Sequence, residues 1–122
     1  MLQGDFFTIS NIEISSPDVK AALEINGSHK IFEGHFPGQP VVPGVCMMQM
    51  VKEIMELVIE KKLQLSKANE MKFLAVINPQ ENKNIDASFK YAYSENGSII
   101  VSASFFKEAL TYFKFKGEFV LQ

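Results

Sequence analysis

His35 is the side chain best placed to move a proton. It lies in the run His29-Lys30-Ile31-Phe32-Glu33-Gly34-His35-Phe36-Pro37-Gly38-Gln39-Pro40-Val41-Val42-Pro43-Gly44-Val45. Pro37, Gly38, Pro40, Pro43 and Gly44 forbid regular structure up to the point where a helical stretch begins. A neutral imidazole on such a stiff loop can serve as a base near pH 7. The first N–H groups of the following helix, around Gly44 and Val45, have no acceptor within the helix and can stabilise a developing oxyanion. Base and oxyanion hole together suit proton abstraction beside a carbonyl. His29, six residues earlier, is expected to be structural or at the surface. With one cysteine and two histidines in the chain, no metal-ligand spacing arises.

The elements that must position this loop follow from periodicity. A strand is expected over Phe6 to Ile14, broken by Ser15-Ser16-Pro17-Asp18. Val19, Ala21, Leu23 and Ile25 then alternate with less apolar residues as a half-buried strand closed by Asn26-Gly27. From Val45 to Lys62 there is neither Gly nor Pro, and Met47, Met48, Val51, Ile54, Met55 and Val58 make a broad apolar helix face. Gln49, Lys52, Glu53, Glu56 and Glu60 form the polar stripe, which reads Glu53 as surface or interface charge and Gln49 as partly buried. Beyond Ser66 the period becomes two. Strand faces are expected through Met71 to Ile77, Ile85 to Tyr93, Ser98 to Phe106 and Thr111 to Val120, with Asn96-Gly97 as a hairpin turn. Two strands, a proline-rich loop, one long helix and four strands make an α+β domain over residues 1–122. An antiparallel sheet buries both its own apolar face and this helix by curling around the helix.

Composition narrows the chemistry. The 122 residues, 47% hydrophobic and 21% charged, suit one globular domain. A net charge of −2 offers no basic field for nucleic acid. All twelve basic residues are lysines, so no bidentate arginine clamp exists. Cys46 stands alone and is expected to pack as a small apolar residue. The opening MLQGDFFTIS has no signal-peptide pattern and no apolar run reaches membrane-spanning length, so a cytoplasmic protein is expected.

Gly34 to Val45 resembles the signature G-H-F-P-G-x-P-x-x-P-G-V of the β-hydroxyacyl-ACP dehydratases of fatty-acid synthesis. That resemblance implies a hotdog fold, in which a curled sheet wraps a central helix, and action on thioesters tethered to acyl carrier protein. It implies that His35 takes the α-proton, that the Gly44 N–H holds the thioester carbonyl with Val45 beside it, and that the Val41 carbonyl orients the imidazole. The acyl chain would run along the helix past Phe36, Met47 and Met48. The family implies at least a homodimer, in which the histidine of one subunit meets the helix residues of the other. It implies no metal or nucleotide cofactor, the substrate riding on the phosphopantetheine of the carrier. Docking to an acidic carrier calls for lysines, with Lys30, Lys72, Lys90, Lys114 and Lys116 as candidates.

The sequence departs from this pattern where the family carries its acid. Five residues after the signature glycine the family has Glu or Asp, and here stands Gln49. Four residues further the family usually has Gln, and here stands Glu53. The family's Pro-Gly-Asp turn is replaced by Asn78-Pro79-Gln80-Glu81. A glutamine donates a hydrogen bond to a departing hydroxyl but supplies no proton. Loss of a general acid costs ~10²–10⁴ in rate. Three outcomes follow: Glu53 acts as the acid from one turn along the helix, Gln49 orients substrate for slower dehydration or thioester hydrolysis, or the chain is a non-catalytic acyl-carrier-binding subunit.

Overall fold

The computed structural model describes residues 1–34 and 40–122. Its strands are β1 (Phe7–Ser15), β2 (Asp18–Ile25), β3 (Leu63–Phe73), β4 (Asn84–Tyr93), β5 (Ile99–Lys107) and β6 (Leu110–Leu121), with helices α1 (Ile31–Gly34) and α2 (Gly44–Ile59). The strands form one antiparallel sheet in the order β1-β2-β4-β5-β6-β3. Period-two alternation points every second side chain inward. Register places Val19, Phe89, Ala103 and Phe115 in one cross-strand row and Ala21, Ala87, Phe105 and Phe113 in the next. Small residues and aromatic rings together make up these rows, and α2 lies against them. Its Met47, Met50, Val51, Ile54 and Met55 join the strand residues in one buried core. Burying each of these side chains contributes about 1.5–3 kcal/mol.

The hotdog expected from the sequence is the fold found, with two differences. The helix has 16 residues and is shorter than the Val45–Lys62 span expected. It stops because Glu60 turns left-handed at φ 63°, its N–H returning to the Glu56 carbonyl. Glu56 also receives the Leu63 N–H on its side chain at 2.9 Å, which fixes the turn into β3. β3 starts earlier and ends earlier than expected, at Phe73. After it, both the Leu74 and Ala75 N–H reach the Tyr112 carbonyl, and the Val42 N–H reaches the Ile77 carbonyl. Residues 74–77 are therefore a strap that ties the end of β3 to the chain entering α2.

Asn96-Gly97 closes the β4–β5 hairpin as expected, with Gly97 at φ 86° and the Ser94 N–H bonded to the Ser98 carbonyl.

Candidate functional site

His35 and Phe36, with residues 37–39, lie outside the described residues. The rest of the expected site is described, and it divides into two places.

The first is the start of α2. Pro43 is the residue before the helix, extended at φ −63° and ψ 146°, and gives no side-chain cap. The Cys46 and Met47 N–H groups both turn to the Pro43 carbonyl at 3.0 and 3.2 Å. The N–H groups of Gly44 and Val45 have no acceptor among the described residues. They are the donors that an oxyanion would use. Beside them a cavity of about 430 Å³ opens between the helix start and the strap, lined by Val41, Gly44, Met47, Phe73, Leu74 and Val76 among others. Val41, Gly44 and Met47 thus meet at one apolar hollow. Val45 is on the outside, 76% exposed, and Met48 is half-buried against the core. Phe73, Leu74 and Val76 add to the exposed apolar surface here. The larger hollow bounded by Asp5, Asn26 and Lys83 is lined by no described residue of the Gly34–Val45 signature.

Gly44 leaves room for the Phe73 ring. A Cβ at position 44 would lie 2.8 Å from Phe73 Cε1 and 2.9 Å from Cζ. Gly44→Ala therefore has to push the ring into the hollow. Phe73 is half-exposed and its ring can yield, so the change is expected to cost less than about 1 kcal/mol, read as a slightly lower Tm.

The second place is the middle of α2, where the structure corrects the reading of Glu53. It is not surface charge: it is 3% exposed. Its carboxylate accepts the Leu2 N–H at 3.0 Å on Oε1 and 2.7 Å on Oε2, and the Gln3 N–H at 2.8 Å on Oε1. Its Oε2 also accepts Gln49 Nε2 at 2.9 Å. Among the described residues no lysine forms an ion pair with it. A carboxylate committed to these donors would have to break them to reach a substrate. Gln49, half-buried, is the polar side chain of α2 one turn beyond Val45.

The N-terminal residues that Glu53 holds form a hook. The Asp5, Phe6 and Phe7 N–H groups all turn to the Leu2 carbonyl, and the Gly4 N–H reaches the Phe7 carbonyl. Asp5 meets His29 Nε2 at 3.0 Å, and Phe6 packs on the rings of His29 and Phe32. His29 Nδ1 accepts the Ile31 N–H at 3.1 Å, so the ring's proton lies on Nε2, facing Asp5. His29 is thus structural, pinning the start of α1, the element that runs into residue 35.

Cys46 is buried, and burial pushes its thiol up from the ordinary value. It packs as a small apolar residue rather than as a nucleophile. The candidate docking lysines separate. Lys90, Lys114 and Lys116 surround a hollow of about 250 Å³ on the outer sheet face, away from α2. Lys72 pairs in register with Lys114 and binds Glu70 at 3.3 Å. Lys30 stands just before α1. Among the described residues no group of three His, Cys, Asp or Glu gathers to hold a metal, and no helix is long and apolar enough to cross a membrane.

Comparison with known proteins fits this frame. A 3-hydroxyacyl-[acyl-carrier-protein] dehydratase FabZ of Pectobacterium atrosepticum is 24% identical over 99 residues, covering 81% of this chain and 61% of that protein. The FabZ of Aeromonas hydrophila is 26% identical over 111 residues, covering 89% of this chain and 68% of that protein. The chain thus spans about three fifths of the first of these relatives. Among solved structures, the dehydratase heterocomplex ApeI:P of Xenorhabdus doucetiae matches with TM-score 0.69 at 19% identity, covering 92% of this chain and 96% of that one. A sigma28-regulated virulence protein of Campylobacter jejuni matches with TM-score 0.71 at 15% identity, covering 97% and 85%. These two likenesses concern the fold. The match to the ApeI-like family covers residues 11–114, from β1 through the signature into β6, and the chain belongs to that family, described as ApeI dehydratase.

Proposed function

We propose that the protein dehydrates 3-hydroxyacyl thioesters to trans-2-enoyl thioesters, with His35 as the base and a rate lowered by the amide at position 49. The observation that supports this most is the start of α2, where the N–H groups of Gly44 and Val45 have no acceptor among the described residues and Gly44 lines an apolar hollow, directly downstream of the histidine loop in sequence. The thioester oxygen would sit on those donors and the acyl chain beside Met47 and Phe36. His35 would take the α-proton, and the 3-hydroxyl would leave past Gln49. Electrostatic stabilisation of the enolate is the step this arrangement serves best. Departure of hydroxide is the step it serves poorly, since the amide of Gln49 releases no proton. Glu53 is not proposed as the acid, because its carboxylate holds the hook.

The substrate would ride on the phosphopantetheine of an acyl carrier protein in the cytoplasm, with no metal or nucleotide taking part. A homodimer would complete the site. The exposed apolar surface of Val45, Phe73, Leu74 and Val76 lies next to β3, an edge strand with one partner, and such an edge favours pairing. A second reading is a non-catalytic acyl-carrier-binding subunit. It is favoured by the same observation that slows the chemistry: Gln49 supplies no proton and Glu53 is engaged elsewhere.

Incubation with a 3-hydroxyacyl pantetheine thioester separates these readings. The dehydratase reading predicts an enoyl product. Free thiol without enoyl product would indicate a thioesterase, and binding by calorimetry without any product would indicate the binding subunit.

A further inference from the structure

Glu53 is the one buried charged side chain among the described residues, and the proposed reaction does not use it. Its two oxygens gather three N–H donors from two parts of the chain that are otherwise separate: the backbone of residues 2 and 3, and the side chain of Gln49. An ionised carboxylate only accepts hydrogen bonds. It therefore dictates which end of the Gln49 amide faces it. The nitrogen must turn in, as found at 2.9 Å, and the carbonyl oxygen must turn away. Without Glu53, the two ends of that amide would be nearly equivalent in shape.

We infer that Glu53 is a positioning residue that fixes the Gln49 amide with its carbonyl oxygen outward, so that the site selects acyl thioesters carrying a hydroxyl donor. This rests on the reading of Gln49 as the residue that meets the substrate's oxygen. An outward carbonyl oxygen accepts a hydrogen bond from a 3-hydroxyl O–H. A saturated acyl chain offers nothing there and leaves the oxygen unpaired, and an unpaired polar group costs affinity on desolvation. The same carboxylate also makes the hook part of the site. Residues 2 and 3 hang on Glu53, while Asp5 and Phe6 of the same hook grip His29 and Phe32, just upstream of residue 35. One short segment thus straps the helix amide to His29 and Phe32 at the start of α1.

Two readouts test this. Amide hydrogen exchange on the intact protein reads the clasp without any substrate. The Leu2 and Gln3 amides should be protected, and Glu53→Leu, which offers no acceptor oxygen, should speed their exchange on the order of 10- to 100-fold. Competition between 3-hydroxyacyl and saturated acyl pantetheine thioesters of equal length reads the orientation. Wild type should prefer the hydroxyacyl form roughly tenfold, and Glu53→Gln should bring the ratio near one. Gln49→Leu leaves the hook bonds to Glu53 in place, so it should lose the preference while exchange at residues 2 and 3 stays slow. Fast exchange of those amides in wild type would overturn the clasp. A hydroxyacyl preference that survives Gln49→Leu would overturn the orientation. Failure of wild type to bind either thioester would overturn the proposed function instead, and the exchange result would still decide the clasp.

Discussion

Exchanging two side chains, Gln49→Glu together with Glu53→Gln, is expected to raise the dehydration rate by ~10²–10⁴, the usual worth of a general acid. The expectation for Gln49→Glu alone is different, and the reason is the 2.9 Å contact between Gln49 Nε2 and Glu53 Oε2. A carboxyl group placed at position 49 by itself would face a buried carboxylate at that distance, with no cation paired to either among the described residues. Two carboxylates so close cannot both ionise. They would share one proton and titrate as a pair, and the leaving hydroxyl would compete for it. The single variant should also lose about 1–3 kcal/mol of stability, because a satisfied buried contact becomes a repulsive one.

The double exchange removes the conflict. The new amide at position 53 donates to the new carboxylate, reversing the polarity of the contact without breaking it. Its carbonyl oxygen has two lone pairs, enough for the Leu2 and Gln3 N–H groups that the wild-type side chain now serves. Formation of enoyl product with wild type, both single variants and the double variant gives the coupling directly. A strongly non-additive cycle, with the double variant fastest, is expected. A single Gln49→Glu variant as fast and as stable as the double would show that the Gln49–Glu53 contact has no bearing on catalysis.

Alanine at position 35 is expected to lower dehydration by ~10²–10⁴, equivalent to roughly 3–5 kcal/mol of barrier, while acyl-thioester binding stays within a few-fold. The separation follows from where the parts sit. The donors of Gly44 and Val45 and the hollow along Met47 and Phe73 are built from α2, the chain entering it and the strap. A loss confined to kcat marks a group used in the transition state, whereas a loss confined to KM marks one used for binding alone. Equal loss of binding and turnover would instead assign His35 to holding the loop in place.

Most of the fold was legible because four strands bury one face cleanly. Phe113, Phe115 and Phe119 alternate with Lys114, Lys116 and Glu118, and the structure puts the first set inside and the lysines outside. β3 was not legible. It is an edge strand, exposed along nearly all of Leu63–Phe73, with irregular register near Ser66 and Asn69, so no inward period marks its start. The close approach at Gly117 was also invisible: a Cβ there would lie 2.3 Å from the Lys67 carbonyl oxygen, a constraint that belongs to the β3–β6 pairing rather than to either strand. The end of α2 was missed because no Gly or Pro stands there, and Glu60 takes the left-handed turn itself.

In the site, the helix start was legible from Pro43 and Gly44, and the missing acid from the spacing of Gln49. The burial of Glu53 was not. Its partners are backbone N–H groups of residues 2 and 3, which carry no side-chain signal, and its position in a polar helix stripe suggests solvent. Such a contact links residues 50 or more positions apart. An acid whose i−4 neighbour is a glutamine, in a helix that needs a counterpart for every buried charge, was the one available hint.

Hydration of a trans-2-enoyl pantetheine thioester, followed by loss of its enoyl absorbance in wild type and in His35→Ala, bears most directly on an imidazole working beside a held thioester. Conversion by wild type well above the uncatalysed rate, largely lost in the alanine variant, is expected. No conversion across short, medium and long acyl chains, or an undiminished rate in His35→Ala, would contradict it.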